Sequence, residues 1–206
     1  MENINLTPAQ LDVLKEIGTV GGGSAATALS QLLYKRVLID VPSVSLVAPH
    51  KISGSEFMIH PEEVAIAVTL NILGKLRGGI LVLLAEPSAL SMIDILMHRE
   101  IGSTKLINVM EASALSESVH ILCSSYINAV GEFLDLHQLV PSLPQMTVDR
   151  MDRLSEHLIK RLIQEESNYF LPIENNMIIE DIKMNLYVIF LLEYESAKHI
   201  MTMLNL

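Results

Sequence analysis

The sequence predicts an α+β fold made of two pseudo-symmetric repeated halves, with two long adjacent helices over a shared, largely antiparallel sheet. Three observations carry this. Two long stretches with a helical apolar stripe lie about a hundred residues apart, each opened by a helix-start pattern. Each is followed by short β-branched runs and then a short terminal helix. Residues at caps, core positions and one polar face recur at a fixed offset.

The first helix starts at Thr7-Pro8-Ala9-Gln10, where Thr suits the N-cap, Pro the first helical position and Gln the third. It is predicted to run to about Tyr34, burying Leu11, Leu14, Ile17, Ala25, Leu29 and Leu32 or Leu33. Gly18, Gly21, Gly22 and Gly23 lie inside it. An interior glycine costs a helix roughly 1 kcal/mol against alanine, so close approach of another backbone or of a partner is the better account. The run lacks the Gly-Lys-Ser/Thr ending of a phosphate-binding loop and follows no strand.

A strand is predicted at Val37–Val41, ended by Pro42, and a further strand or edge segment at Val44–Val47, with little signal from Lys51 to Met58. Val64–Ile72 and Leu76–Ala85 read as a hairpin, with a bulge expected in Leu76–Gly79, and Ser88–Met97 as a short helix. Asn108-Val109-Met110-Glu111 reads as a second capping box, opening a helix over about Val109–Leu134 with Leu115, Val119, Leu122, Tyr126, Ala129 or Val130, and Phe133 inward. A short strand near Gln138–Val140, an amphipathic helix over Met146–Ile163, strands at Tyr169–Ile173, Met177–Ile182 and Met184–Leu192, and a helix at Glu195–Leu204 complete the prediction. An offset of 101 residues pairs Thr7 with Asn108, Gln10 with Glu111, Leu14 with Leu115, Glu16 with Glu117 and Ala28 with Ala129. One domain over 1–206 is expected, with halves of about 1–100 and 101–206.

Composition excludes several functions. The net charge of −10 and the absence of a basic cluster free of acids argue against nucleic acid. The single cysteine, Cys123, permits no internal disulfide and fits a reducing cytoplasm, and its apolar setting marks it as a small core residue. Seven scattered histidines give no metal-ligand spacing. The longest apolar runs, such as Gly79–Ala85 and Leu186–Leu192, are too short to cross a bilayer, so no membrane insertion is expected, and no signal peptide is read.

The candidate functional residues are two lines of side chains. Asp12, Glu16 and Thr19 fall at i, i+4 and i+7 on the first helix, and Ser113, Glu117 and His120 repeat the spacing on the second. One such line alone is most simply a solvated helix face. Its recurrence argues for a surface that engages a partner's lysine and positions a water.

The run Asp12-x-x-x-Glu16-x-x-Thr19, with Pro42 after 22 further residues, resembles the CheC/CheX/FliY family of bacterial chemotaxis phosphatases. That family's pattern is Asp or Ser, three residues, Glu, two residues, Asn, then about 22 residues and Pro. Ser113, Glu117 and His120 match it again, with Pro141 and Pro144 bracketing the expected proline, and Leu14-Lys15-Glu16-Ile17-Gly18 with Ala25-Ala26-Thr27-Ala28 looks like the two-motif CheC branch. The resemblance implies a CheC-like fold and action on the phosphorylated response regulator CheY as an aspartyl-phosphate phosphatase. It implies that Glu16 and Glu117 dock a regulator lysine beside Asp12 and Ser113, and that Mg sits on the regulator while this chain carries no cofactor. The family's Asn, which aligns the attacking water, is replaced by Thr19 and by His120. His120 keeps the reach and a proton-accepting nitrogen, whereas Thr19 has a shorter reach. The alternative is a non-catalytic adaptor that binds CheY or the receptor deamidase CheD.

Overall fold

The computed structural model describes residues 7–45, 59–133, 135–136, 138–156 and 169–203. Helix α1 spans Pro8–Leu33. Its start forms as the sequence predicts: Gln10 N donates to Thr7 Oγ1 at 3.4 Å and Thr7 N to Gln10 Oε1 at 2.7 Å. Strands β1 (Val37–Asp40), β2 (Val64–Leu73) and β3 (Gly78–Ala85) and helix α2 (Glu86–Leu96) complete the first half. Helix α3 (Val109–Phe133) opens the second. It continues through β4 (Val140–Pro141), β5 (Gln145–Arg150), a short helix α4 at 151–156, β6 (Tyr169–Ile179), β7 (Ile182–Leu192) and α5 (Tyr194–Met203).

Every strand pair is antiparallel, and the sheet order is β1-β6-β7-β3-β2, with β4 and β5 both pairing β2. The order is symmetric about the β3–β7 pair. The first strand of each half is exchanged onto the other half's hairpin: β1 pairs β6, and β4 and β5 pair β2. The fold is the predicted α+β arrangement of two halves on one sheet.

Strand alternation sorts the core into two sides. Ile66, Val68 and Leu70 of β2, Ile80, Val82 and Leu84 of β3, and Leu186, Val188 and Phe190 of β7 face the helices, together with Leu14, Leu29, Leu115 and Leu122. Ala65, Ala67, Leu81, Leu83, Tyr187 and Ile189 face the other way, where Met151 and Leu154 of α4 cover them.

Several predicted elements need correction. Gln145–Arg150 is a strand, not the start of a helix, because Gln145–Arg150 register against Thr69–Val64 along the edge of β2 and tertiary pairing overrides the helical pattern. The two strands expected at Tyr169–Ile173 and Met177–Ile182 are one continuous strand, with Ile182 belonging to β7. No bulge forms at Leu76–Gly79, since pairing is regular from Gly78 onward on both sides of β3. Leu11 is 37% exposed, and Leu33, not Leu32, closes the buried stripe of α1. Of the strand or edge segment expected at Val44–Val47, Val44 makes a single antiparallel bridge to Ile173, and residues 46–47 lie outside the described residues. Residues 46–58, Leu134, 157–163 and Leu204, which carried further predictions, lie outside the described residues.

The junction between the halves is held by buried polar groups. The Asp94 carboxylate, fully buried at the end of α2, accepts from the backbone N–H of Gly102, Ser103 and Thr104 at 2.7, 3.2 and 2.9 Å and from Ser103 Oγ at 2.9 Å. Burial alone would push its pKa up, but the hydrogen bonds from Thr104, Ser103 and Gly102 outweigh that and hold it below its ordinary value. Glu111 ties the loop to α3: its carboxylate, almost fully buried, accepts from Arg99 Nη1 at 2.7 Å. The same Arg99 nitrogen reaches Thr104 Oγ1 at 3.1 Å. At the N-terminus of α3 Asn108 Oδ1 accepts from Met110 N at 3.1 Å, and the Glu111 carboxylate takes the Arg99 ion pair and is also stabilised by the backbone N–H groups of Glu111 and Asn108.

Candidate functional site

The glycines of α1 show why two long helices can lie together. A Cβ at Gly21 would stand 2.5 Å from Cδ1 of Tyr126, and one at Gly22 would stand 3.1 Å from both Tyr126 Oη and Ile39 Cγ2. The helices touch where glycine lets a tyrosine of α3 settle against the α1 backbone. Tyr126 is fully buried, packs edge-on to Phe190 at 6.5 Å, and donates its hydroxyl hydrogen to Asn175 Oδ1. Asn175, also fully buried in β6, donates through Nδ2 to the Ile173 carbonyl at 2.8 Å. Burial pushes the phenol of Tyr126 and the thiol of Cys123 well above their ordinary ranges, and Cys123 is the inert core residue the sequence predicts.

This packing turns the opposite faces of both helices outward. Asp12, Glu16 and Thr19 are all exposed on α1. On α3 Ser113 and Glu117 are exposed and His120 is half-buried. Each Glu and its partner three residues on are neighbours on an unbroken helix, about 5–6 Å apart at Cβ. The spacing to Pro42 also has a structural meaning. A Cβ at Gly18, which lies between Glu16 and Thr19 in the same turn but on its buried side, would stand 3.2 Å from Val41 Cγ1 and 3.6 Å from Val44 Cγ2. The segment around Pro42 therefore packs behind that turn, on the side opposite the exposed Glu16 and Thr19. The second counterpart is displaced: Pro141 pairs with Ile72 in β4, and Pro144 precedes β5.

The two lines differ in how their side chains are engaged. Thr19 Oγ1 donates to the Lys15 carbonyl at 2.9 Å, so its hydrogen is turned back into its own helix. Among the described residues, the side chains of Glu16, Glu117 and His120 make no hydrogen bond or ion pair with the chain. The His120 carbonyl accepts from Ser124 Oγ at 2.7 Å, a bond that does not involve the imidazole. Chemically, α3 offers a carboxylate with an imidazole one turn on, and α1 a carboxylate with a self-bonded hydroxyl. The sequence did not single out Asn175 or Asp94. Asn175 falls between the two strands the sequence predicts at Tyr169–Ile173 and Met177–Ile182, and its role depends on a contact with Tyr126, 49 residues away.

Comparison with known proteins agrees with this architecture. The model of the CheC-like family matches residues 10–46, which span the Glu16 line and Pro42. CheY-P phosphatase CheC of Bacillus subtilis is 28% identical over 146 residues, 68% of this chain and 66% of that protein. Flagellar motor switch phosphatase FliY of the same organism is 29% identical over 122 residues, 59% of this chain and 31% of that protein. The chain thus spans less than two thirds of the length of either relative. The crystal structure of Thermotoga maritima FliY shares the fold with a TM-score of 0.79 at 21% identity, covering 98% of both chains. The chain is thus similar to the CheC-like family over the first copy of its helical pattern and shares its fold with FliY.

Proposed function

We propose that this chain docks a CheY-type response regulator phosphorylated on aspartate and speeds loss of its phosphoryl group, with α3 as the working site. The relatives named as phosphatases support the class of activity. The observation that carries the choice of site is the uncommitted pair on α3: Glu117 exposed, and the His120 ring without an internal partner one turn away. Glu117, and Glu16 on α1, hold a lysine ammonium of the regulator by charge-assisted hydrogen bonds. A ring nitrogen of neutral His120 accepts a hydrogen bond from water and holds its oxygen in line with the phosphorus. The contribution is positioning, because the acyl phosphate and its Mg belong to the regulator. The hydroxyl of Thr19 is shorter and already donates to Lys15 O, so α1 docks without aligning water. The test is decay of the phosphorylated regulator with the wild-type chain and with Glu117→Ala. Acceleration that disappears in the variant supports the reading; equal acceleration by both rejects it.

The loss of the amide at both positions favours a second reading, docking without hydrolysis. There the chain is an adaptor for the regulator or for the deamidase CheD. Saturable regulator binding with no change in decay would select it.

A further inference from the structure

Eight of the nine glycines among the described residues have a visible reason to be glycine. Gly74, Gly78 and Gly102 hold positive φ of 130°, 148° and 85°. Gly18, Gly21, Gly22, Gly79 and Gly131 would each bring a Cβ within 3.2 Å of a neighbour. Gly23 has neither reason. It sits in the middle of the continuous helix α1, and a Cβ there would meet nothing within 4 Å among the described residues. The close approach the sequence predicts for the whole Gly21-Gly22-Gly23 run is therefore internal at the first two only. At Gly23 the missing side chain leaves the helix weaker than alanine would and serves no contact among the described residues.

Its position is informative. Gly23 follows Glu16 by seven residues and Thr19 by four, so it continues the same exposed line, flanked by Val20 at 44% exposure. Asp12 and Glu16 make that line acidic on a chain of net charge −10, which suits a basic occupant. We propose that Gly23 is a contact residue for the partner that Glu16 engages, a lysine-bearing segment of a phosphorylated receiver domain. The segment's main chain lies against α1 where a side chain would hold it off. This rests on the docking reading above and adds a residue and a steric requirement to it.

The test is titration of the full chain with the CheY-type regulator of the same organism, activated with beryllofluoride, in a Glu117→Ala background so that only α1 reports. Gly23→Leu weakens binding by roughly tenfold or more, the scale of forcing extra atoms into a packed contact. Gly23→Ala weakens it less while raising Tm by about 2–4 °C, and Gln31→Leu, exposed two turns further on, leaves it unchanged. Undiminished binding by Gly23→Leu, with binding lost in Glu16→Ala, overturns the inference and leaves docking intact. Binding insensitive to Glu16→Ala, or absent in this background, rejects docking on α1, and the inference falls with it.

Discussion

Substituting Gly21 with alanine tests the packing that presents both lines of side chains. The new Cβ would stand 2.5 Å from Cδ1, 2.9 Å from Cε1 and 3.1 Å from Cγ of Tyr126. Carbon atoms pack at about 3.5–4.0 Å, so α1 and α3 must separate by about 1 Å or the ring must leave its place. The ring is not free to leave: it is fully buried against Phe190 and its hydroxyl is bonded to buried Asn175. Overpacking of this kind costs about 1–3 kcal/mol, and stranding the Asn175 amide adds about 1–3 kcal/mol. The gain in helix propensity returns about 1 kcal/mol. The net destabilisation is about 3 kcal/mol, a fall in Tm of about 6–12 °C for a chain of this size. Thermal unfolding by circular dichroism or calorimetry reads this directly. The double variant Gly21→Ala, Tyr126→Leu should lose less than its two single changes together, because both act on one contact. An unchanged or raised Tm for Gly21→Ala would refute the argument that the glycine exists to admit Tyr126.

Further predictions follow from the buried polar groups. Tyr126→Phe keeps the ring and leaves Asn175 Oδ1 without its donor, so stability falls by about 1–2 kcal/mol with the fold intact by circular dichroism. Asp94→Ala leaves the amides of the α2–α3 loop unpaired and costs about 3 kcal/mol, seen as a Tm lower by about 6–12 °C at pH 7. The Asp94 pKa is depressed in the folded state, so its contribution is complete above the ordinary value of 3.8 and is lost as pH falls through the folded value. The difference in Tm between wild type and Asp94→Ala should therefore narrow on acidification below about pH 4. Arg99→Met leaves the Glu111 carboxylate buried without its cation; adding Glu111→Gln to that variant should restore part of the lost Tm.

What the sequence made legible, and what it did not, divides along a physical line. Both long helices, the Thr7–Gln10 capping box and the β2, β3 and β7 strands are local patterns of three to ten residues, and all of them formed. The polar lines at Glu16 and Glu117 were readable because helical spacing is fixed by geometry. The strand at Gln145–Arg150 was not, because only the unpaired edge of β2 decides between helix and strand there. Tyr126 was placed in the core, but its bond to Asn175 and its seat over Gly21 join three distant segments, and no local pattern records them. The same limit hid the difference between Gly22 and Gly23. Adjacent in sequence, one faces Tyr126 and Ile39 while the other faces open space.

The central claim is that histidine on α3 has taken over the aligning of water while threonine on α1 has not. Decay of the phosphorylated cognate regulator should be followed with the wild-type chain, with His120→Ala and with Thr19→Ala. The account predicts accelerated decay by the wild type, loss of that acceleration in His120→Ala with regulator binding retained, and no change in Thr19→Ala. Acceleration that survives His120→Ala, or that is absent from the wild-type chain, would contradict it.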